Sequence, residues 1–352
     1  MEELRVGGFR NLREVVLQFE APLVVLVGAN GSGKTSLLEA VHFLGRGRSF
    51  RTGRSRKLIQ WGADVAQVGA LVGGDQLGVE RSPQGLRFRL NGGDVHSRAE
   101  LAQRLPVQLI NADHQRLLLD GPAVRRAFLE WGVFHVEPSH RDAALRFRQA
   151  LRQRNTALRS GDTRQADAWI PVLASAATEI EEGRRSFLQA LEPRVATLLS
   201  AWLPAPFITV EYFDGGFRDH REEPWSARFT AAAPGDHDAQ HTRVGPHRAD
   251  LRILAQGIAA QDALSRGQQK LLVLALLLAE AELWKSLGRA PVLLVDDLAA
   301  ELDGTALEMV VETVQQLGLH ALLTGLSKEE LPVDTDKAQF VTLREGEALS
   351  VV

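Results

Sequence analysis

Residues 28–35 read Gly-Ala-Asn-Gly-Ser-Gly-Lys-Thr, and no other stretch of the chain narrows its possible folds so far. The spacing satisfies G-x-x-x-x-G-K-[ST]; the apolar run Leu23–Val27 precedes it and a helical pattern opens near Gly33. A strand, a glycine-rich turn and a helix in that order predict an α/β fold with a phosphate-cradling loop. Glycines let the backbone curl around phosphate oxygens, while the helix offers its positive end to the same anion. Lys34 is then the cation for the β- and γ-phosphates of ATP, and Thr35 the hydroxyl for Mg²⁺. The predicted nucleotide-binding residues are Gly28, Ala29, Asn30, Gly31, Ser32, Gly33, Lys34, Thr35 and Ser36.

A second apolar run, Pro291-Val292-Leu293-Leu294-Val295, ends in Asp296-Asp297, and parallel sheets place their ligands at strand C-termini. Asp296 is the predicted Mg²⁺ partner, through water, and Asp297 the predicted base or orienting group for the attacking water. The alternative is a pair of solvated acids capping the next helix. Between the two motifs lies Leu264-Ser265-Arg266-Gly267-Gln268-Gln269-Lys270, directly before the longest apolar stretch of the chain. Its small residues at a helix start form a second phosphate-binding surface. Two such surfaces over two hundred residues apart either meet on one nucleotide or serve different copies of it.

With 352 residues, 45% hydrophobic and 24% charged, the chain has the material for two folded domains. Its longest apolar run, residues 271–279, is too short to cross a bilayer as a helix, and the acidic first residues carry no export signal, so a cytoplasmic location is expected. The absence of cysteine excludes disulfides, thiolate metal sites and thiol nucleophiles. A net charge of −3 gives no global attraction to a polyanion, so nucleic acid would have to be met by local patches. Two such clusters exist: Arg46, Arg48, Arg51, Arg54, Arg56 and Lys57 in a loop past the first helix, and Arg141, Arg146, Arg148, Arg152, Arg154 and Arg159 along a later helix.

Apolar periodicity organises the remainder. Short strands are expected over residues 15–19, 77–79 and 86–90, ending at the turn Asn91-Gly92-Gly93. Ala144, Phe147, Leu151 and Leu158, then Leu173, Ala177, Ile180, Phe187, Leu191 and Leu198, mark two antiparallel helices of roughly 30 to 45 Å. Strands return at residues 207–212 and 251–255, then a helix over 268–284 and buried strands over 292–295 and 321–324. Residues 218–242 read as a polar loop, and His237 and His241 within it lack the second ligand pair that zinc requires. The expected division is an ATPase lobe over 1–120, a helical arm over 121–205 and a second ATPase lobe over 206–352.

The order of these motifs, with Ala300-Glu301-Leu302-Asp303 after the paired acids, resembles the ABC-type ATPase heads of the SMC and RecF families. Gly8-Phe9-Arg10-Asn11, Gln108-Leu109-Ile110-Asn111, Gly121-Pro122, Arg125-Arg126-Ala127-Phe128-Leu129 and Gly245-Pro246-His247-Arg248 are similar to RecF-family blocks in particular. The resemblance implies an ATP-dependent homodimer in which Ser265 and Gly267 of one copy cap the γ-phosphate held by Lys34 of the other. It further implies recombination repair: sequence-independent DNA binding at gaps or junctions, help in loading a recombinase, the partners RecR and RecO, and no membrane partner. The catalytic set it suggests is Asp297, Asp296, Lys34 and Ser265.

Some positions depart from the wider pattern. Asp297 stands where ABC ATPases carry Glu, one methylene longer, which predicts slow hydrolysis; Thr324 stands where transporters carry a histidine. Ala300 replaces a serine, leaving Asp303 as the expected dimer contact, and the segment 111–114 lacks a family proline, so Gln108 and Gln115 both remain candidates for sensing Mg²⁺. His247 is expected to be structural or near the nucleotide. A transporter's nucleotide-binding subunit would want the Glu, the histidine and no arm, and a chromosome-organising SMC protein a far longer arm. A P-loop kinase would leave residues 265–270 unexplained.

Overall fold

The fold is that of a computed structural model describing residues 1–95, 97–203, 208–217, 219 and 222–350. It divides into two compact units, one formed by residues 1–114 with 274–352 and the other by residues 115–273.

The first unit opens with β1 (Glu3–Gly7), β2 (Val15–Gln18) and β3 (Leu23–Val27), then α1 (Lys34–Arg46). β4 (Ala66–Val72), β5 (Asp75–Ser82), β6 (Gly85–Leu90) and β7 (Gly93–Val95) follow, then α2 (Arg98–Arg104) and β8 (Val107–Ile110). An antiparallel sheet runs in the order β2-β1-β4-β5-β6-β7. Its strands alternate, Leu4 and Val6 inward against Arg5 outward, as a sheet with one covered face should. The Asn91-Gly92-Gly93 turn does not end this meander; β7 pairs back onto β6.

The second unit begins with α3 (Arg116–Leu119), α4 (Pro122–Val136), α5 (His140–Arg159), α6 (Thr163–Asp167) and α7 (Ile170–Trp202). β9 (Ile208–Phe213), α8 (Trp225–Ala239), β10 (Asp250–Ala255), β11 (Ile258–Ala259) and α9 (Ala260–Ala263) complete it. The division falls inside α10 (Arg266–Ser286), between Val273 and Leu274, so this unit extends well past residue 205. Phe147, Leu173, Ala177 and Ile180 close α5 on α7. At 33 residues α7 is about 50 Å long, beyond the upper bound set from its periodicity. The polar-loop reading of residues 218–242 is corrected by α8, which buries Trp225, Phe229, Ala232 and Ala233 at helical spacing. Pro234 and Gly235 inside it masked that period, and tertiary burial overrides their poor helix propensity. Residues 218, 220 and 221 of that segment, and Pro204, Ala205, Pro206 and Phe207 at the expected arm boundary, lie outside the described residues.

The chain returns to the first unit with β12 (Val292–Val295), α11 (Leu298–Glu301), α12 (Gly304–Leu317), β13 (His320–Gly325), β14 (Ala338–Arg344) and β15 (Glu347–Ser350). These build a second sheet, β15-β14-β3-β13-β12-β8, parallel except for β15. β3 and β12 are buried at every residue, as strands covered on both faces must be. Alternate residues Val24, Leu26, Val292, Leu294 and Leu322 join Leu37, Val41 and Phe43 of α1 and Leu4, Val6 and Val68 of the first sheet in one core. Val295 lies opposite Leu323, and Gly325 opposite Val27. That register sets the C-terminal ends of β12, β13 and β3 side by side.

Candidate nucleotide site

The loop after β3 is shaped by two glycines. Gly28 (φ 155°) and Gly33 (φ 116°) have backbone angles that side chains rarely tolerate. A Cβ on Gly28 would stand 2.4 Å from the Leu343 carbonyl oxygen, and one on Gly33 2.7 Å from Leu12 Cδ2. Within the loop the Ser32 amide donates to Ala29 O (3.1 Å), and the α1 ladder starts with Leu37 N–H to Gly33 O (2.9 Å). The amides of the first α1 turn therefore lack helical acceptors, and no side chain caps them. Asn30 and Gly31 are exposed at the rim. Lys34 Nζ donates to the carbonyls of Gly28 and Ala29, which holds the ammonium over its own loop. Asn11 staples loop to helix: its amide donates to Gly31 O (2.9 Å) and its Oδ1 accepts from Ser36 Oγ (2.7 Å).

The paired acids follow β12 beside this loop. Asp296 Oδ1 accepts from Thr35 Oγ1 (3.1 Å) and from Thr324 Oγ1 (3.0 Å), and the Thr324 oxygen in turn accepts the Asp297 amide (2.8 Å). One buried hydroxyl at the end of β13 thus sets both acids. Asp297 sits in the left-handed region (φ 57°), uncommon for a residue with a side chain and a mark of functional turns. Burial pushes the Asp296 carboxyl above the usual range; hydrogen bonds from Thr324 and Thr35 oppose this, and the neighbouring Asp297 charge adds to it. Such a group gains from a cation.

Lys34, Thr35, Asp296, Asp297, Arg51 and Lys57 are among the residues around a cavity of about 550 Å³. The residues fit a magnesium nucleotide on three counts. Ser32 Oγ is buried with no hydrogen-bond partner in the protein, the helix-start amides have no internal acceptors, and Thr35 and Asp296 bring two oxygens together that would hold Mg²⁺.

Glu39, one helical turn beyond Thr35, is fully buried. Arg10 grips it with two hydrogen bonds (2.9 and 2.7 Å), Ser49 donates to it, and Arg51 Nη1 lies 3.5 Å away. Arg51, grouped by sequence with loop cations, is therefore tethered at the cavity wall. Sequence reasoning missed Glu39, although a lone acid in the apolar stretch 37–44 signals a buried partner. It also took Thr324 only as a missing histidine.

Residues 1–345 match the family model described as the RecF/RecN/SMC N terminal domain. A DNA replication and repair protein RecF from Pseudomonas syringae pv. syringae is 40% identical over 340 residues, covering 94% of this chain and 92% of that protein. The chain belongs to the RecF family. A protein of the same name from Stutzerimonas stutzeri is 42% identical over 333 residues, 92% of this chain and 89% of its own. The solved structure of the recombination mediator protein RecF-ATP in the RecFOR pathway matches at TM-score 0.86 and 23% identity, covering 100% of this chain and 97% of that one. An Smc head domain from Pyrococcus furiosus, with an extended coiled coil and bound to the C-terminal domain of ScpA, matches at TM-score 0.60 and 18% identity, covering 99% and 95%. These two likenesses concern the fold, an α/β head of the ABC/SMC type, as the sequence predicts.

The other RecF-family blocks take their places in the second unit. Arg125 forms a two-point ion pair with Asp250 (2.7 and 3.0 Å), and Arg126 donates to Ala249 O (2.9 Å). Arg184 of α7 donates to Pro246 O (3.0 Å) and pairs with Glu130 (2.6 Å). Burial pushes His247 down to about 4, and its Nε2 lies 3.2 Å from Thr242 O. Ser265 is exposed at the start of α10, where its amide donates to Gln268 Oε1 (3.0 Å) and its hydroxyl accepts the Gln268 amide (3.3 Å), a capping box. In the first unit, Asp303 is likewise exposed and caps α12 through the Ala306 amide (2.9 Å).

Two sequence readings change. Arg154, grouped by sequence with the cations of a local patch for nucleic acid, is fully buried and bonded to Asp236 (2.7 Å) and Thr242 (2.8 Å). Gln108 faces Glu280 (2.9 Å) inside the protein instead of the nucleotide cavity. His237 bonds Asp167 (3.0 Å), and no cluster of three or more metal-ligating side chains occurs among the described residues.

Proposed function

We propose that this RecF-family chain is an ATP-driven DNA-binding protein of replication and recombination repair, hydrolysing ATP slowly to ADP and phosphate. The observation that carries it is the chain of contacts Thr35–Asp296–Thr324–Asp297 beside a glycine-shaped loop. Loop amides and Lys34 hold the β- and γ-phosphates, and Ser32 supplies a further hydroxyl. Thr35, and Asp296 through water, would hold Mg²⁺, which when bound would supply charge neutralisation on the phosphates. Asp297 orients or deprotonates the attacking water, and its short reach keeps turnover slow. Ser265 and Gly267 complete the γ-phosphate pocket of a second copy, which makes the dimer depend on ATP.

DNA enters this reading through local cations. Arg54 and Arg56 in the first unit, and Arg152 and Arg159 in the second, are exposed and doubled in a dimer. Gapped or junction DNA, the partners RecR and RecO, and assistance to a recombinase come with the family. No helix among the described residues is long and apolar enough to cross a membrane.

Sedimentation with and without ATP tests the reading. The wild type should shift to dimer with ATP, and K34M should stay monomeric and lose hydrolysis. A K34M protein that still dimerises on ATP would overturn the assignment.

A further inference from the structure

Trp61 is fully exposed, at 101% of its reference surface, where tryptophan is ordinarily at least partly covered. It is not carried on a loose loop. The segment before it is pinned by Arg10 N–H to Leu58 O (2.7 Å), Gln60 N–H to Gly8 O (2.9 Å) and a β-bridge between Phe9 and Ile59. A turn closed by Ala63 N–H to Gln60 O (3.1 Å), with Gly62 at φ 86°, then presents the indole outward. The sequence around it is one-signed: residues 40–63 hold six arginines and lysines and no acid. Arg54, Arg56 and Lys57 are exposed, and none of the three forms an ion pair among the described residues.

We infer that Trp61 is a stacking platform for an unpaired base of single-stranded DNA, with Arg54 and Arg56 on the flanking phosphates. A flat aromatic face accepts any base, and adjacent cations track the backbone without reading sequence. A duplex keeps its bases stacked internally and offers the indole nothing but phosphate and sugar. The same turn therefore separates single strands and gap edges from duplex by chemistry. Cationic surroundings favour this ligand over an apolar protein patch: phosphates would neutralise Arg54, Arg56 and Lys57, whereas an apolar partner would bury their charges uncompensated.

The inference rests on the DNA-binding reading, and one experiment separates their failures. Fluorescence anisotropy would compare oligo-dT, a gapped duplex and a blunt duplex, with ATP, across a salt series. For W61A, affinity for oligo-dT and gapped DNA should fall by about tenfold to a hundredfold, with the blunt duplex changed less than about twofold. W61F should recover most of the loss, and R54A should weaken all three probes and flatten their salt dependence. Wild-type protein that binds none of the probes would sink the DNA-binding reading itself. Wild-type binding that W61A leaves intact on oligo-dT would sink only the stacking role, as would a W61A defect confined to self-association.

Discussion

At the scale of single residues, the site turns on one hydroxyl. Thr324 donates to Asp296 while accepting the amide of Asp297, so one oxygen positions both acids of the proposed site together. T324V should keep ATP affinity and lower turnover about tenfold, since a hydrogen bond to a charged group is lost where it acts on the reacting geometry. Steady-state hydrolysis beside equilibrium nucleotide binding would check the split; loss of binding alone would count against it. Asp297 holds a left-handed backbone that asparagine also tolerates, which makes D297N the clean probe of its carboxylate. That variant should bind ATP, form the dimer and hydrolyse at least about a hundredfold more slowly, seen as ATP-loaded dimers that persist. Glycine, lysine and threonine in the loop were legible because each is demanded by local stereochemistry or charge. The work of Thr324 was not, because its partners follow a different strand.

At the scale of elements, the second unit is held by ion pairs as well as by apolar packing. Arg154 of α5 and Asp236 of α8 are both fully buried at 2.7 Å, with Arg243 and Thr242 completing the cluster. Removing Arg154 takes from the buried Asp236 its fully buried partner and leaves it only Arg243, so R154M should destabilise this unit by about 2–3 kcal/mol, whereas replacing both partners with apolar residues should cost less. Urea denaturation of the two variants measures the difference. Helices α5 and α7 could be read from three-to-four spacing, since their apolar stripes are continuous. Helix α8 could not: Pro234 and Gly235 argue locally for a break, and only the stripe that seats Phe229 and Ala233 against the other helices outweighs them. The same burial turns Arg154 from a surface cation into an internal strut.

For the molecule as a whole, folding and pH are linked through two buried groups of opposite sign. Burial, aided by the Arg46 charge, holds His42 down to about 3, so it is neutral when folded. Its contribution is intact above its ordinary value of 6.5 and is lost as pH falls toward about 3. Glu280 is pushed well above its ordinary value by burial, against the opposing Arg46 charge and Gln108 hydrogen bond, so it keeps its proton to higher pH when folded than when unfolded. The unfolded chain releases that proton above the ordinary value of 4.5, so stability falls as pH rises through the interval. E280Q removes this dependence, and its stability relative to wild type should rise from about pH 5 to about pH 8 in urea melts; a constant difference would contradict the assignment. The phosphate loop, the buried strands, the long helices and the family were determined by the sequence on its own, because glycine stereochemistry and apolar period act between near neighbours. The meeting of Thr35 with Asp296, 261 positions apart, was decided only by the order and register of strands in the parallel sheet. So were the inward turn of Arg154 and the pairing of Gln108 with Glu280. Long-range packing selects such partners, and no local pattern along the chain records them.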